Sequence, residues 1–299
     1  MSLPPASEMR AHSRPTVHRL GPFITRAAAR LADGSSLVAT SRRHRKGLAP
    51  HTCSERDAHR IPPTLCDAWR HFWAPGRLAW WIAVSFVIGS ACFVLAGWAV
   101  TWPTEVFAPL RLSATANAIF FAGSLFFTAA ACLQLLEATH GDVAEALGSR
   151  PAGLHWLGFR PRNLGWLASA SQLGGTVAFN IDTGAAMISG LDWQAQDLWV
   201  WTPNALGCAG FLVSSALAWL ELSHGAWSFA PRSASWWSVA LNASGSLAFA
   251  LSAAHSLVGP GRPDPYEVWL AGFYTVVGAL CFLAGSYLLI PELFDEETC

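Results

Sequence analysis

Two side chains able to share a metal ion or a proton recur at the ends of three apolar segments. Glu137 is followed three residues on by His140, Glu221 by His224, and Glu292 by Asp295. Residues three apart on a helix lie on one face, so each pair offers two metal-competent groups side by side, as Glu-x-x-His pairs do in di-metal helical bundles. Converging, the three pairs would form a ring fit for a divalent metal ion or for proton handling. The competing reading puts these glutamates at the water boundary, marking helix ends. A carboxylate at a helix C-terminus opposes the helix dipole by about 0.3–1 kcal/mol, so three such choices ask for a reason, of which descent from one ancestral hairpin is the simplest. The third copy is imperfect, with Pro291 before its glutamate and Asp in place of His.

Other polar groups are scattered through apolar sequence. Asp182 has Asn180 and Thr183 beside it, and His255 lies toward the end of a later segment. A coupled Asp182–His255 pair would suit a proton relay, since ionisable groups at membrane depth default to functional hypotheses. Gln134 and Asn242 read as interhelical hydrogen-bonding groups. His51, Cys53, His59, Cys66 and His71 match no compact zinc spacing. No phosphate-binding loop, dinucleotide fingerprint, His-Glu-x-x-His or Gly-x-Ser-x-Gly occurs, so nothing supports nucleotide-driven transport or familiar hydrolase chemistry.

The elements that position these groups are repeated. Gly123, Phe127 and Glu137 return at the same spacing as Gly207, Phe211 and Glu221, and as Gly278, Phe282 and Glu292. Steps of 4 and 14 residues place the three side chains within one helix face. The intervening segments repeat too: Gly89-Ser90, Gly175-Thr176 and Gly245-Ser246 are followed by Phe93, Phe179 and Phe249. A glycine beside Ser or Thr lets backbones approach closely, and the Phe one turn on fills the neighbouring groove.

Only 13% of the 299 residues are charged and 53% are hydrophobic, with a mean hydropathy of +0.34; a soluble domain carries about 25% charged residues. Six apolar segments, near 79–102, 115–136, 164–188, 200–221, 236–258 and 268–290, reach the roughly 20 residues needed to cross hydrocarbon. The third and fifth are diluted by Gln172, Asn180, Asp182 and Asn242. Trp80, Trp81, Trp166, Trp236 and Trp237 open the odd segments, while Trp98, Trp102, Trp199, Trp201 and Trp269 sit near the opposite boundary, forming two aromatic belts.

Residues 1–78 hold 13 of the 19 Lys and Arg against five acidic residues. They show no sustained period and read as a disordered, basic tail. The run Arg42-Arg43-His44-Arg45-Lys46 suits anionic lipid headgroups, with a solvated, topology-setting tail as the plainer alternative; no nucleic-acid partner is expected. Basic residues predominate on the side of the tail, which predicts cytoplasmic termini in a plasma membrane. No signal-peptide core appears in the first 30 residues. The seven cysteines read as free thiols: Cys92, Cys132, Cys208 and Cys281 within apolar segments, and Cys53, Cys66 and Cys299 facing a reducing cytosol.

The Trp pair, the Gly-Ser-x-x-Phe helix and the returning Gly-x-x-x-Phe helix ending in Leu-Leu-Glu resemble the YrhK-like domain, a two-helix bacterial membrane module with no assigned activity. The resemblance covers about 79–299 as three modules and implies no catalytic residue. Hairpin two departs from it, with Gly165-Trp166 where the others have Trp-Trp. The expected architecture is an all-α membrane protein of six transmembrane helices in three hairpins, 79–137, 164–221 and 236–292, behind the tail. The expected function is non-enzymatic, in scaffolding or assembly within the lipid bilayer and without a cofactor. A cation- or proton-coupled transporter built on the glutamate ring is the alternative, and a metal-dependent enzyme at the cytoplasmic face is a weaker third.

Overall fold

The computed structural model describes residues 16–46, 48, 50–53, 72–102, 104–105, 110, 113–140, 158–261 and 264–294. The basic N-terminal region is not wholly without structure. Strands β1 (Thr16–Leu20), β2 (Phe23–Arg30), β3 (Ser36–Thr40) and β4 (His51–Cys53) form an antiparallel sheet in sequence order. Local turn chemistry sets it up. Gly21, at φ +56°, turns β1 into β2, and Gly34, at φ +84°, turns β2 into β3. The Asp33 carboxylate accepts from the Ser35 amide at 2.9 Å and from its hydroxyl at 2.5 Å. Along β2 the buried residues alternate, Thr25, Ala27 and Ala29, and Ala27 pairs Ala39 across to β3. These faces are built from alanine and threonine, so the alternation is weak in hydropathy, and that explains the expectation of disorder. Between β3 and β4 lies α1 (Ser41–Arg45), with Thr40 as its N-cap.

Five long helices and one helix with a wide turn follow: α2 (Leu78–Thr101), α3 (Ser113–Thr139), α4 (Leu164–Ala185), α5 (Trp193–Ser223), α6 (Ala234–His255) and α7 (Pro265–Tyr287), with a last turn, α8 (Leu289–Glu292). Asn163, Ser233 and Asp264 cap α4, α6 and α7 through their side chains, each satisfying an otherwise unpaired helix N–H. The wide turn in α5 spans Asp197–Trp201, just ahead of Pro203, which cannot donate to the helical ladder. Each helix packs on the next and α7 returns to α2, closing a ring of six.

Four of these helices, Leu78–Thr101, Ala114–Thr139, Trp193–Ser223 and Pro265–Glu292, are long and apolar enough to cross a membrane. The expectation of six is met in those four. The 22-residue helices α4 and α6 fall short because Gln172, Asn180, Asp182 and Asn242 lower their hydropathy.

Small residues and phenylalanines fill the inside of the ring, and branched aliphatics cover the outside. Buried positions include Ala83, Ala96, Ala130, Ala131 and Ala279, while Ile88, Leu95, Leu125, Val177, Ile181, Leu206, Val213, Leu247 and Leu280 are exposed. Glycine and phenylalanine interlock across each helix pair. A Cβ at Gly89 would lie 2.9 Å from the Gly123 carbonyl and 3.1 Å from the Phe127 ring, and one at Gly123 would meet Phe93 at 2.9 Å. The same reciprocal seating joins Gly175 to Phe211 and Gly207 to Phe179, and then Gly245 to Phe282 and Gly278 to Phe249.

The six phenylalanines meet at the axis. Phe127, Phe211 and Phe282 form a closed triangle with centroids 6.2, 5.4 and 6.0 Å apart. Phe93 and Phe179 both contact Phe249, at 6.0 and 6.2 Å. Phe249 stacks on Phe282 at 5.4 Å, joining the two groups. The centre of the ring is therefore a packed aromatic core rather than an open bore.

Candidate functional site

The three repeated glutamates all turn inward and are buried, with 7, 0 and 4% exposure for Glu137, Glu221 and Glu292. What meets them is the basic run of the N-terminal region. The Arg42 guanidinium grips Glu292 with two hydrogen bonds, Nε to Oε1 at 2.6 Å and Nη2 to Oε2 at 2.9 Å. Lys46 Nζ lies 2.5 Å from the same Oε2. Arg45 Nη2 donates to Glu221 Oε2 at 2.8 Å, and the Ser41 hydroxyl donates to Oε1 at 2.8 Å. Arg42, Arg45 and Lys46 are themselves almost wholly buried. Of the run expected at anionic headgroups, Arg42, Arg45 and Lys46 lie inside the protein, while Arg43 and His44 are half-buried.

The placement follows from spacing. Arg42, Arg45 and Lys46 stand at i, i+3 and i+4, and such residues share one side of a helical turn. On the receiving side, α3, α5 and α8 each present a C-terminal end with its negative dipole and a carboxylate. Three basic side chains thus stand against three carboxyl groups in a region that water hardly reaches. Burial and Arg42 lower the pKa of Lys46, against the opposing pull of Glu292 and Glu137, leaving it at about 8.

Glu137 is the exception. It feels Arg45, Lys46 and Arg42 electrostatically, yet its Oε1 is buried without a hydrogen-bond partner. That carboxylate lines a cavity of about 70 Å³ together with Arg42, Arg45, Lys46, Gln134, Gln172 and Asn242. Phe86, Phe211 and Phe282 also line it, so the cavity lies between the basic turn and the phenylalanine core. Gln172 accepts a long bond of 3.4 Å from Ser214, as one interhelical contact.

Gly165 makes room for the pair on Glu221. A Cβ there would lie 2.8 Å from Glu221 Oε1 and 3.1 Å from Arg45 Nε. Counted from the repeated glycines, Gly165 is in register with Ala79 and Ser235, and both of these are buried. The departure from Trp-Trp therefore lies one residue later: Trp166 keeps register with Trp80 and Trp236, while Leu167 stands where the other segments have Trp81 and Trp237.

The remaining expected groups are not drawn together. The paired histidines fall off their helices, because each Glu-x-x-His straddles a helix end. His140 follows the last residue of α3, and its Nδ1 bonds the Leu136 carbonyl at 2.8 Å. His224 terminates α5 in the left-handed region, at φ +50°. Its ring stands edge-on to His18 of β1 at 6.2 Å, and burial, then Arg26 and His18, lower its pKa. Asp295 lies outside the described residues. Among the described residues, no group of three or more His, Cys, Asp or Glu side chains is placed to share a metal ion.

Asp182 and His255 do not pair. They belong to α4 and α6, which α5 separates in the ring. His255 Nδ1 meets Glu267 Oε2 at 2.5 Å, and the ring stacks on Tyr274 at 5.8 Å. The polar neighbours of Asp182 hold α4 to α3 instead: Asn180 donates to Thr128 at 2.8 Å, and Ser124 bonds Thr183 at 3.0 Å.

Two features go beyond the sequence reading. The opening tryptophans are anchored locally: Trp80 and Trp236 donate to carbonyls eight residues back, at 2.9 and 3.0 Å, and Trp81 and Trp237 to carbonyls six residues back, at 3.0 and 2.9 Å. Prolines 75 and 231 supply two of those carbonyls, a recurrence visible in the sequence as Ala-Pro ahead of Trp-Trp. Cys53 is disulfide-bonded, which corrects the expectation of a free thiol there. Cys92, Cys132, Cys208 and Cys281 are free. In comparison with known proteins, no family model, curated protein or solved structure matches this chain.

Proposed function

We propose that the chain is a non-enzymatic, multi-pass membrane protein whose six long helices all span the bilayer as three repeated hairpins. In this reading its closed bundle holds the N-terminal sheet at one membrane face as an assembly platform. One observation carries it: Arg42, Arg45 and Lys46, which follow β3, are ion-paired to Glu292 and Glu221 at the end of the bundle. The sheet is thereby fastened to the membrane domain through buried charge. The phenylalanine core across the axis suits a holding role better than a conducting one. Branched aliphatics exposed on α4 and α6, namely Val177, Ile181, Leu247 and Leu251, support lipid contact for those two helices as well, since an exposed apolar surface of this extent marks a membrane or partner face. The YrhK-like resemblance is part of this reading, and so is a cytoplasmic location of both termini in a plasma membrane, which the distribution of basic residues supports and the disulfide at Cys53 opposes.

Cysteine labelling in intact cells and in inverted vesicles tests the spans. Ser189→Cys sits beyond α4 and Ala230→Cys ahead of α6. Six spans put the two on opposite sides, with Ala230→Cys on the side of the termini. Four spans, with α4 and α6 lying outside the hydrocarbon, would move Ser189→Cys to the terminal side and Ala230→Cys to the other, and would sink the six-span arrangement.

A transport reading is favoured by one specific observation, the unbonded Glu137 oxygen beside an internal cavity. In that reading the protein is a cation- or proton-coupled carrier held shut by its basic turn. Proteoliposome flux separates the two. A platform gives no proton or cation flux even after Arg42→Ala and Arg45→Ala substitution; a carrier conducts once the turn is released.

A further inference from the structure

We propose that the carboxylate end of the bundle is a binding site for small organic cations bearing a guanidinium or primary ammonium group, occupied in cis by α1. The inference rests on side-chain geometry and goes beyond the platform reading, which holds with or without it.

The resident side chains reveal the chemistry of the site. Glu292 receives a guanidinium edge-on through two parallel hydrogen bonds, a planar fit that selects guanidinium over a spherical ion. Glu221 receives a second guanidinium beside a hydroxyl donor, and Glu292 also takes an ammonium. A second, independent sign of unfilled capacity is Glu137, 93% buried by its 7% exposure, which lines the cavity and whose Oε1 has no donor among the described residues. The amide side chains of Gln134, Gln172 and Asn242 line the same space and extend its polar lining inward. The cavity holds several water molecules or the stem of a small cation, a single water needing about 10–15 Å³ by this measure.

Exchange of the occupant is energetically within reach. A five-residue helix has no stability of its own in water, so α1 keeps its form by docking. Coulomb attraction in buried pairs is largely cancelled by desolvation, and release rehydrates three charges. An external cation with the same donors would replace the bonds that α1 gives up, and the vacated vestibule would open the cavity to solvent as far as the phenylalanine core.

The test uses the full chain in detergent or nanodiscs, with agmatine as probe because it carries a guanidinium and a primary ammonium. Tetramethylammonium, which has no N–H donor, serves as control at matched ionic strength. Agmatine binding is read by calorimetry for the parent, for Arg42→Ala/Arg45→Ala, and for that variant with Glu137→Gln, Glu221→Gln and Glu292→Gln added. The expected result is at least tenfold tighter binding to the double variant than to the parent, because the cis competitor is gone, with loss of binding in the five-site variant. Equal affinity for parent and double variant would overturn the proposal, as would tetramethylammonium matching agmatine. Should the double variant be unfolded as purified, the readout becomes recovery of the folded, monodisperse fraction with agmatine. Recovery by agmatine and not by tetramethylammonium supports the site, and no recovery overturns it.

Discussion

Removing either member of the Arg45–Glu221 pair should release the basic turn, and removing both should not. Glu221 is fully buried and Arg45 is 4% exposed at the side chain, so neither charge can be rehydrated where it stands. Glu221→Gln keeps the shape but turns an amide toward a guanidinium that has lost its countercharge. Arg45→Met leaves Glu221 with only the Ser41 hydroxyl. Breaking a buried pair in this way costs about 3–5 kcal/mol, whereas replacing both partners is often close to neutral. A loss of about 3 kcal/mol is roughly 150-fold in the docking equilibrium. The assay is tryptic cleavage after Arg43, which both single variants and the double variant retain. Where reclosing is fast, the cleavage rate follows the open population. Each single variant should be cut roughly 100-fold faster than the parent, and Glu221→Gln/Arg45→Met far more slowly than the product of the two single effects. Single variants within a factor of three of the parent, or a double variant showing the full product, would refute the idea that this pair fastens the turn.

The helix packing makes an equally sharp contrast between adjacent glycines. Gly175→Ala drives a Cβ to 2.8 Å from the Phe211 ring and 2.9 Å from the Gly207 carbonyl, and should destabilise by about 1–3 kcal/mol. Gly174→Ala meets nothing within 4 Å and should stabilise by about 0.5–1 kcal/mol through helix propensity; thermal unfolding in one detergent ranks the two. Phe282→Ala, which empties a position at the meeting of the two phenylalanine groups, should cost about 3–5 kcal/mol by the same assay. Lys46, the only lysine of the chain, binds its proton less tightly when docked, at about 8 against 10.5 when free. Between those values the released state holds more protons, so the contribution of Lys46 strengthens docking as pH rises from about 8 to 10.5 and is level below that window. Protease protection measured across this range should show the rise in the parent and lose it in Lys46→Met.

Much of the helical framework was legible because it is periodic. The Gly–Phe spacing predicted close helix contact, and each of those glycines does abut a neighbouring backbone carbonyl or phenyl ring. The sheet was missed because its signals are short. Asp33-Gly34 between two strand-forming runs is a strong hairpin cue, but the inward face of β2 is Thr25, Ala27 and Ala29, which scarcely register against an Arg-rich background. The Glu-x-x-His pairs show the limit of a spacing argument. A spacing of three means a shared face only while the helix continues, and His224 sits beyond the end of α5 in a left-handed turn. Asp182 and His255 were matched by depth alone, with no knowledge that α5 would stand between their helices.

The docking of α1 left no local trace, because its partners are 176 and 250 residues away for the two arginine pairs. Charge arithmetic nonetheless held the clue. Three glutamates close three helices at ends where a carboxylate is disfavoured, and each would repel the others if they converged. One turn elsewhere carries three cations on a single face. The acceptor is threefold in its spacing, while the donor is one asymmetric helix, so the three carboxylates cannot be served alike. Arg42 and Lys46 both fall to Glu292, Arg45 and Ser41 to Glu221, and Glu137 keeps an oxygen unbonded. That leftover acceptor follows from setting one short helix against three carboxylates, and it leaves this end of the bundle the place where an outside cation would find unused binding capacity.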